Sequence, residues 1–186
     1  VVLILGGSQG AKKINDTVMA ALKKLTERFA VIHQTGLPHF AEIKATADAI
    51  LFDSSYKNRY KPFDFLNSLA MRMAAGVASV VVSRAGSSIF EIAAWRVPAV
   101  IIPISERTSR DQHTNAFSYA RAGGCVVIDD DNLAPNILIS EIERLATDTE
   151  ERARMKEAAK AFYKPDAAKE IAEEILKIAL EHEVEK

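Results

Sequence analysis

The amino-acid sequence predicts an α/β fold built on a doubly wound, mostly parallel sheet of six strands. Short apolar runs alternate with longer amphipathic stretches along the 186 residues, which is the pattern of strand–helix–strand units. Two of the runs, 80–82 and 100–102, are continuously apolar, as expected of parallel strands covered on both faces. A chain of this length that is 48% hydrophobic can bury one good core, so a single domain is expected.

The alternation fixes the predicted order of elements. The predicted strands are residues 1–5, 30–34, 49–52, 79–83, 99–102 and 125–128. The predicted helices are residues 11–28, 38–47, 66–75, 88–95, 112–122, 135–146, 150–162 and 166–183. Right-handed crossovers between parallel strands then place helices on both faces of the sheet.

Two segments between and after these elements carry further expectations. Residues 53–65 are polar and aromatic, and we expect them to form a long connection before a helix. The last predicted helix has an apolar stripe at helical spacing, which predicts that one face packs inward. The stripe consists of Ala168, Ile171, Ile175 and Ile178.

Charge and cysteine content exclude several classes of protein. The 24 basic and 25 acidic residues leave a net charge of −1, so no broad positive field is present to recruit nucleic acid. The single cysteine, Cys125, excludes an intramolecular disulfide and a cysteine-based zinc cluster, and its expected role is that of a small buried residue. A reducing compartment fits this content. No apolar run reaches the ~18 residues that a membrane span needs.

A glycine-rich turn follows the first predicted strand and opens the first helix. Its candidate binding residues are Gly7, Ser8, Gln9 and Gly10. Glycines let the backbone approach a ligand, and the free N–H groups of a helix start attract phosphate. The spacing fits neither the P-loop nor the dinucleotide fingerprint. A tight strand-to-helix turn without a ligand explains the residues equally well.

A second turn of small residues lies at the carboxyl end of the fourth predicted strand, where open α/β sheets bind ligands. Its candidate residues are Arg84, Gly86, Ser87 and Ser88. Glu91 follows about one turn into the next helix, where its carboxylate could accept hydrogen bonds from two vicinal hydroxyls of a ribose. For a single glutamate at this place, stabilisation of the helix dipole is the usual role, but the neighbouring turn favours a site.

Polar side chains recur after the fifth and sixth strands. Asp111, Gln112 and Asn115 offer acceptors and donors suited to sugar hydroxyls, although Asp111 alone could be a helix N-cap. The run Asp129, Asp130 and Asp131 could hold a divalent ion, but a solvated turn is the favoured interpretation. Residues 33–36 end the second strand and are expected to shape the pocket as a turn.

Five short motifs, in order, resemble the C-terminal, donor-binding domain of the MurG family of glycosyltransferases. They are Leu-Gly-Gly-Ser-Gln-Gly-Ala at 5–11, His-Gln-Thr-Gly at 33–36, Ser-Arg-Ala-Gly at 83–86, Glu-Ile-Ala-Ala at 91–94 and Asp-Gln-x-x-Asn-Ala at 111–116. The resemblance implies a Rossmann-like sheet that is one half of the two-domain GT-B fold. Residues 1–186 would be a single UDP-sugar-binding domain, and the N-terminal acceptor domain would be absent from this chain. Val1 already lies inside an apolar run, which fits the expectation that a preceding segment was removed.

The resemblance also implies roles for individual residues. Ser8 and the amides of the first glycine turn would bind the donor diphosphate, and Glu91 would bind the ribose of uridine. The amides of Ser87 and Ser88 would support phosphate or sugar, and the backbone at Leu66 would recognise uracil.

On the sugar side, the family pattern implies that Gln112, with Asp111 and Asn115, binds the hydroxyls of N-acetylglucosamine. The catalytic base would lie in the missing N-terminal domain, and no metal or cofactor would be needed.

The function implied is transfer of N-acetylglucosamine from UDP-N-acetylglucosamine to the lipid-linked muramyl pentapeptide of peptidoglycan synthesis. The full-length enzyme would be cytoplasmic and peripheral at the inner face of the plasma membrane, where its acceptor domain meets the lipid-linked substrate. One alternative is a non-catalytic nucleotide-sugar-binding subunit of a split N-acetylglucosaminyltransferase. Another is an enzyme resembling the UDP-sugar 2-epimerases, which would require catalytic acids and a histidine that are not evident here.

Overall fold

The strands of this chain form one parallel sheet. The structure is a computed structural model that describes residues 1–105 and 108–184. The strands are β1 (Val2–Leu5), β2 (Val31–Gln34), β3 (Tyr60–Phe63), β4 (Val80–Ser83), β5 (Ala99–Ile101) and β6 (Cys125–Val127). They lie in the order β3-β2-β1-β4-β5-β6 with every pairing parallel. The predicted doubly wound, six-stranded α/β sheet is confirmed.

Helices connect the strands and cover both faces of the sheet. They are α1 (Lys12–Arg28), α2 (Phe40–Ile50), α3 (Ser68–Val77), α4 (Ser88–Trp95), α5 (Arg110–Arg121), α6 (Pro135–Thr147), α7 (Thr149–Phe162) and α8 (Ala167–Val184). Alternate residues of each strand point to opposite faces. Val2 and Ile4 therefore join a core with α1, α2 and α6, whereas Leu3 and Leu5 join a core with α3, α4 and α5. Each fully buried aliphatic side chain stabilises the fold by about 1.5–3 kcal/mol.

The sheet order places a topological switch beside β1. The chain runs outward from β1 to β2 and β3, then returns to β4 on the other side of β1 and continues to β5 and β6. Leu5 at the end of β1 pairs with Ser83 at the end of β4. The two turns that follow these strands are therefore neighbours, and a crevice opens at this point in doubly wound sheets.

Helix α4 starts at that crevice and ends in the body of the domain. Ile89 and Ile92 are fully buried in the second core. Trp95, the single tryptophan of the sequence, is the last residue of the helix and packs, partly buried, against the same core.

The prediction of a strand at residues 49–52 is wrong. The apolar run at 49–52 forms the end of helix α2 and the turn that follows it. Ile43, Ala47 and Leu51 are buried at four-residue spacing, which is the spacing of one helix face. The third strand is β3, inside the segment predicted to be a connection. It is an edge strand that pairs with β2 alone, and this place tolerates Pro62, which has no N–H to donate.

The prediction that α8 packs its apolar stripe inward is also wrong. The side chains of Ile171, Ile175 and Ile178 are 60%, 61% and 48% exposed. The stripe of α8 therefore lies open on the surface. None of the helices in the described ranges is long and apolar enough to span a membrane.

Candidate functional site

A cavity of about 340 Å³ opens at the carboxyl ends of β1 and β4. Residues from both turns, from the end of β2 and from α3, α4 and α5 line it. The lining residues are Leu5, Gly6, Gly7, Ser8, Gln34, Met71, Ser83, Arg84, Gly86, Ser87, Ser88, Glu91 and Gln112. The cavity thus occupies the crevice at the topological switch, where the sequence predicted a ligand.

A second cavity of about 390 Å³ lies between α2 and β3, at the outer edge of the sheet. Lys44, Lys57 and Lys61 border it, but its lining includes no glycine turn and no start of an α-helix. The smaller cavity at the switch point has both, so its surroundings are better suited to a phosphorylated ligand.

The first glycine turn needs its glycines for conformation and for close backbone contact. Gly7 and Gly10 have φ angles of 75° and 77°, a region that disfavours residues with a side chain. A Cβ atom on Gly10 would collide with the Thr35 carbonyl oxygen, and one on Gly36 would collide with the backbone of Gly10. The end of β2 therefore buttresses the turn and leaves Ser8 exposed at the rim of the cavity.

The second turn presents the start of α4 to the cavity. Ser87 occupies the N-cap position and makes no side-chain capping hydrogen bond. The hydroxyl oxygens of Ser83 and Ser88 lie 3.3 Å apart, within hydrogen-bonding distance. Ser87 and Ser88 both line the cavity, so the positive end of the helix dipole faces the space that an anionic ligand would fill.

Glu91 lies in the first turn of α4 and borders the same cavity. Its side chain is exposed, and within residues 1–105 and 108–184 it has no hydrogen-bond or ion-pair partner. An exposed carboxylate with two unused acceptor oxygens is suited to a pair of neighbouring hydroxyls.

Arg84 borders the cavity, but its guanidinium is engaged elsewhere. Its Nη1 donates to the Asp130 carboxylate at 2.5 Å and to the carbonyl oxygens of Ile102 and Pro103 at 3.3 and 3.4 Å. Lys13 donates to the same carboxylate at 3.1 Å. Burial alone would raise the pKa of Asp130, but the hydrogen bonds from Arg84 and Lys13 outweigh it and hold that pKa below its ordinary value.

The aspartate run is therefore more than the solvated turn favoured from sequence. Asp131 is exposed as expected, with 89% of its side chain accessible, but Asp130 retains only 15%. No group of three or more histidine, cysteine, aspartate or glutamate side chains in the described part of the chain is placed to hold a metal ion.

Helix α5 contributes Gln112 to the cavity. Gln112 lines it, and the Gln112 Oε1 atom accepts a hydrogen bond from the Ile104 amide at 3.3 Å. Asn115 donates to the Ala85 carbonyl at 3.2 Å, so it braces the second turn. Asp111 is exposed and does not line the cavity. The N-cap residue of α5 is Ser109, so the capping role considered for Asp111 is wrong.

Leu66 and Gln34 form a second brace. The Leu66 amide donates to Gln34 Oε1 at 3.1 Å, and the Leu66 side chain is buried. The Gly6 amide donates to the Gln34 carbonyl at 2.8 Å. Gln34 thus links the first glycine turn to the segment that precedes α3, and it lines the cavity itself.

A buried polar chain supports the first turn from behind. His33 is fully buried, with its Nδ1 2.9 Å from the Tyr60 hydroxyl and its Nε2 3.0 Å from Asn15 Oδ1. Asn15 donates its amide to the Thr35 carbonyl, so its oxygen faces the histidine and Nε2 carries the proton. Burial lowers the pKa of His33 to about 3. The imidazole is therefore neutral and structural.

The structure brings many of the predicted site residues to this one cavity. The predicted residues that line it are Gly7, Ser8, Arg84, Gly86, Ser87, Ser88, Glu91 and Gln112. The predicted residues that do not are Gln9, Gly10, Leu66, Asp111 and Asn115. The lining residues that the prediction omitted are Leu5, Gly6, Gln34, Met71 and Ser83. Except for Met71, the omitted residues lie inside the motifs at 5–11, 33–36 and 83–86, at or directly after the ends of β1, β2 and β4, but no contact with a ligand was assigned to them.

Comparison with known proteins identifies the family. The family model of the glycosyltransferase family 28 C-terminal domain matches residues 1–171. The chain belongs to this family.

Named relatives of this family 28 domain agree with one another. One from Sorangium cellulosum is 37% identical over 181 residues, covering 95% of this chain and 43% of the relative. One from Halothermothrix orenii is 34% identical over 167 residues, covering 88% and 44%. Both are named UDP-N-acetylglucosamine–N-acetylmuramyl-(pentapeptide) pyrophosphoryl-undecaprenol N-acetylglucosamine transferase. The chain spans less than half the length of these curated relatives.

Solved structures share the fold of this family 28 domain. Acinetobacter baumannii MurG superimposes with a TM-score of 0.75 at 25% identity, over 95% of this chain and 49% of that protein. The UDP-GlcNAc 2-epimerase from Neisseria meningitidis, solved with UDP-GlcNAc, gives a TM-score of 0.65 at 16% identity, over 95% and 43%. The second likeness shows a shared fold alone.

Proposed function

We propose that this chain is the donor-binding half of an inverting, metal-independent glycosyltransferase that adds N-acetylglucosamine to lipid-linked muramyl pentapeptide. Membership of family 28 and the names of the relatives support this function. The observation that carries it is the cavity between β1 and β4, where a glycine turn, a helix start and the Glu91 carboxylate meet, the last without a partner among the described residues. UDP-N-acetylglucosamine has a diphosphate, a ribose and a sugar to match these groups.

In this proposal the nucleotide lies across the switch point. Ser8 and the amides of the first glycine turn bind the diphosphate, and the amides of Ser87 and Ser88 bind phosphate or sugar. Glu91 accepts hydrogen bonds from the ribose hydroxyls, since its carboxylate is exposed and unpartnered within the described residues. The backbone around Leu66, held by Gln34, recognises uracil.

The sugar occupies the α5 side of the cavity. Gln112 binds the sugar hydroxyls, because its side chain lies in α5 and lines the cavity. Asp111 and Asn115 belong to the same proposal through the family resemblance. Asn115 would act chiefly by fixing the second turn through the Ala85 carbonyl.

The chemistry proposed is direct displacement at the anomeric carbon by an acceptor hydroxyl, with UDP as the leaving group. Negative charge grows on the departing diphosphate, and fixed amide dipoles and helix N-termini stabilise such charge. The starts of α1 and α4 both follow turns that border the cavity. Residues of this chain would thus stabilise the leaving group and hold the donor in place.

The acceptor and the catalytic base would come from an N-terminal domain, so this chain alone should transfer little. The open apolar stripe of α8 supports the proposal of a partner domain, because Ile171 and Ile175 are each about 60% exposed. In the full-length protein we place the enzyme in the cytoplasm, peripheral at the inner membrane face, where the lipid-linked acceptor is available.

Calorimetric titration with UDP, UDP-N-acetylglucosamine and NAD in parallel tests the donor role. We expect heat from both uridine ligands and none from NAD. Binding of NAD with both uridine ligands silent would overturn the proposal. Silence from all three would contradict a donor site in this chain.

A further inference from the structure

A single carboxylate joins three segments that follow strands of the sheet. Asp130 lies after β6, and it accepts hydrogen bonds from Arg84, at the start of the turn after β4, and from Lys13, in the first turn of α1. Arg84 is 46 residues and Lys13 is 117 residues from Asp130 in the sequence. This contact therefore fixes both cavity-lining turns relative to the third segment.

We propose that Asp130 is a positioning residue of the donor site that acts by orienting Arg84. The inference rests on the proposed function, since it concerns the same cavity. Asp130 does not line that cavity, so we expect no direct contact between it and the ligand. Its effect passes through the turn that Arg84 opens and that ends at the start of α4.

Arg84 needs a counterion where it lies. Its side chain is 16% exposed, and a cation withdrawn from water is destabilising unless it is paired. The two carbonyl contacts, to Ile102 and Pro103, are 3.3 and 3.4 Å long, near the upper limit for a hydrogen bond. The contact to Asp130 is the short one, so it decides where the guanidinium rests.

The direction in which UDP affinity changes when the Asp130 carboxylate is removed distinguishes a positioning role from a purely electrostatic one. Loss of the carboxylate leaves one more net positive charge near the diphosphate. A role through charge alone therefore predicts tighter binding of UDP. Release of Arg84 loosens the turn whose amides meet the ligand, and it predicts weaker binding.

The experiment compares UDP affinity, by calorimetry, in isosteric variants of neighbouring aspartates. Asp130→Asn should weaken binding about tenfold. Asp131→Asn removes the same charge one residue further on, from a side chain that is 89% exposed, and should stay within about twofold of wild type. Unchanged or tighter binding in Asp130→Asn overturns the inference, as does an equal loss in both variants. Thermal unfolding without ligand checks that each variant is folded.

A double-mutant cycle tests the route through Arg84. If Asp130 acts through Arg84, Asp130→Asn should change the affinity for UDP less than about twofold in an Arg84→Met background. Additive losses overturn the route.

Arg84→Lys keeps the charge but loses the planar fork, and it should weaken binding about tenfold even if Asp130→Asn does not fold. Wild-type affinity in Arg84→Lys overturns the inference. A wild-type chain that does not bind UDP fails differently: it overturns the proposed function and this inference with it.

Discussion

Two glutamates hold the same place in their helices but face different surroundings. Glu42 lies in the first turn of α2 and Glu91 in the first turn of α4, and both are exposed. Each stabilises its helix dipole to a similar small extent. Glu91 borders the cavity between β1 and β4, whereas Glu42 does not. Substituting each glutamate in turn therefore distinguishes a role in helix stability from a role in ligand binding.

We predict that Glu91→Gln weakens UDP binding between about tenfold and a hundredfold. Hydrogen bonds to a charged group are worth about 1.5–3 kcal/mol, and the amide can accept at one oxygen only. Calorimetric titration measures the loss. Glu42→Gln is the matched control and should bind like wild type; an equal loss in both variants would refute the ribose assignment.

His33 makes stability depend on pH. Burial lowers its pKa from 6.5 to about 3, so between these values the unfolded chain binds a proton that the folded chain excludes. This contribution is fully present above pH 6.5 and is lost as pH falls toward 3, by at most about 1.4 kcal/mol per pH unit. In urea unfolding from pH 7.5 to 5, His33→Gln should flatten the decline. A slope identical to wild type would show that His33 is not the titrating group.

Some residues of the candidate site can be predicted from the local sequence, and others cannot. Gly7, Ser8 and Glu91 are recognisable because each lies within a few residues of a strand end or helix start. Asp130 is not, because its contact with Arg84 spans 46 residues of sequence. Gln34 lies in a recognisable turn, but its contact with Leu66, 32 residues away, was not predictable. From sequence, a carboxylate in an acidic run such as that of Asp130 is expected to be solvated, and only the folded structure shows that Lys13 and Arg84 pair with it.

At the level of elements, the turn between β4 and α4 contains a glycine, Gly86, whose backbone conformation does not require glycine. Gly86 has no positive φ, and a Cβ there would meet nothing within 4 Å. Gly76, near the end of α3, is equally unconstrained but lies away from the cavity. The two glycines therefore differ in ligand proximity and not in strain.

We predict that Gly86→Ala lowers UDP affinity about tenfold while leaving the fold as stable as before or more so. The added methyl would enter space that the ligand needs, and alanine reduces the conformational entropy of the unfolded chain. Gly76→Ala should raise the free energy of unfolding by up to about 1 kcal/mol and leave affinity unchanged. Urea unfolding and calorimetry measure both. Unaltered UDP binding in Gly86→Ala would place the ligand elsewhere.

Elements with strong helical or continuous apolar patterns were predictable, and β3 was not. The apolar run at 49–52 looked like a strand, but it continues the buried stripe of α2 through Ala47 and Leu51. The true strand, β3, contains Lys61 and Pro62, because an edge strand needs one paired side only. Strand propensity alone cannot separate these cases.

For the molecule as a whole, helices α6 and α8 differ in how they contribute to stability. Ile142 of α6 is fully buried, whereas Ile175 of α8 is 61% exposed. We predict that Ile142→Ala lowers the free energy of unfolding by about 2–5 kcal/mol, and that Ile175→Ala changes it by less than about 0.5 kcal/mol. Urea unfolding measures both. A loss above about 1 kcal/mol in Ile175→Ala would mean that α8 packs against the body of the domain.

The sheet and its winding were predictable because each strand–helix unit carries its own pattern and crossovers have one hand. The position of α8 was not. An amphipathic repeat shows that one face is suited to burial, but it does not show which surface covers it. In this chain the stripe around Ile175 stays open.

The place of Trp95 gives the domain an intrinsic optical reporter. Residues 91 and 95 are one helical turn apart on the same side of α4, with about 5–6 Å between their Cβ atoms. Since the sequence contains one tryptophan, all indole emission comes from this position. Binding of a nucleotide to Glu91 should alter the fluorescence quantum yield of Trp95. Stopped-flow fluorescence can therefore follow association and dissociation of nucleotide in real time, without a label.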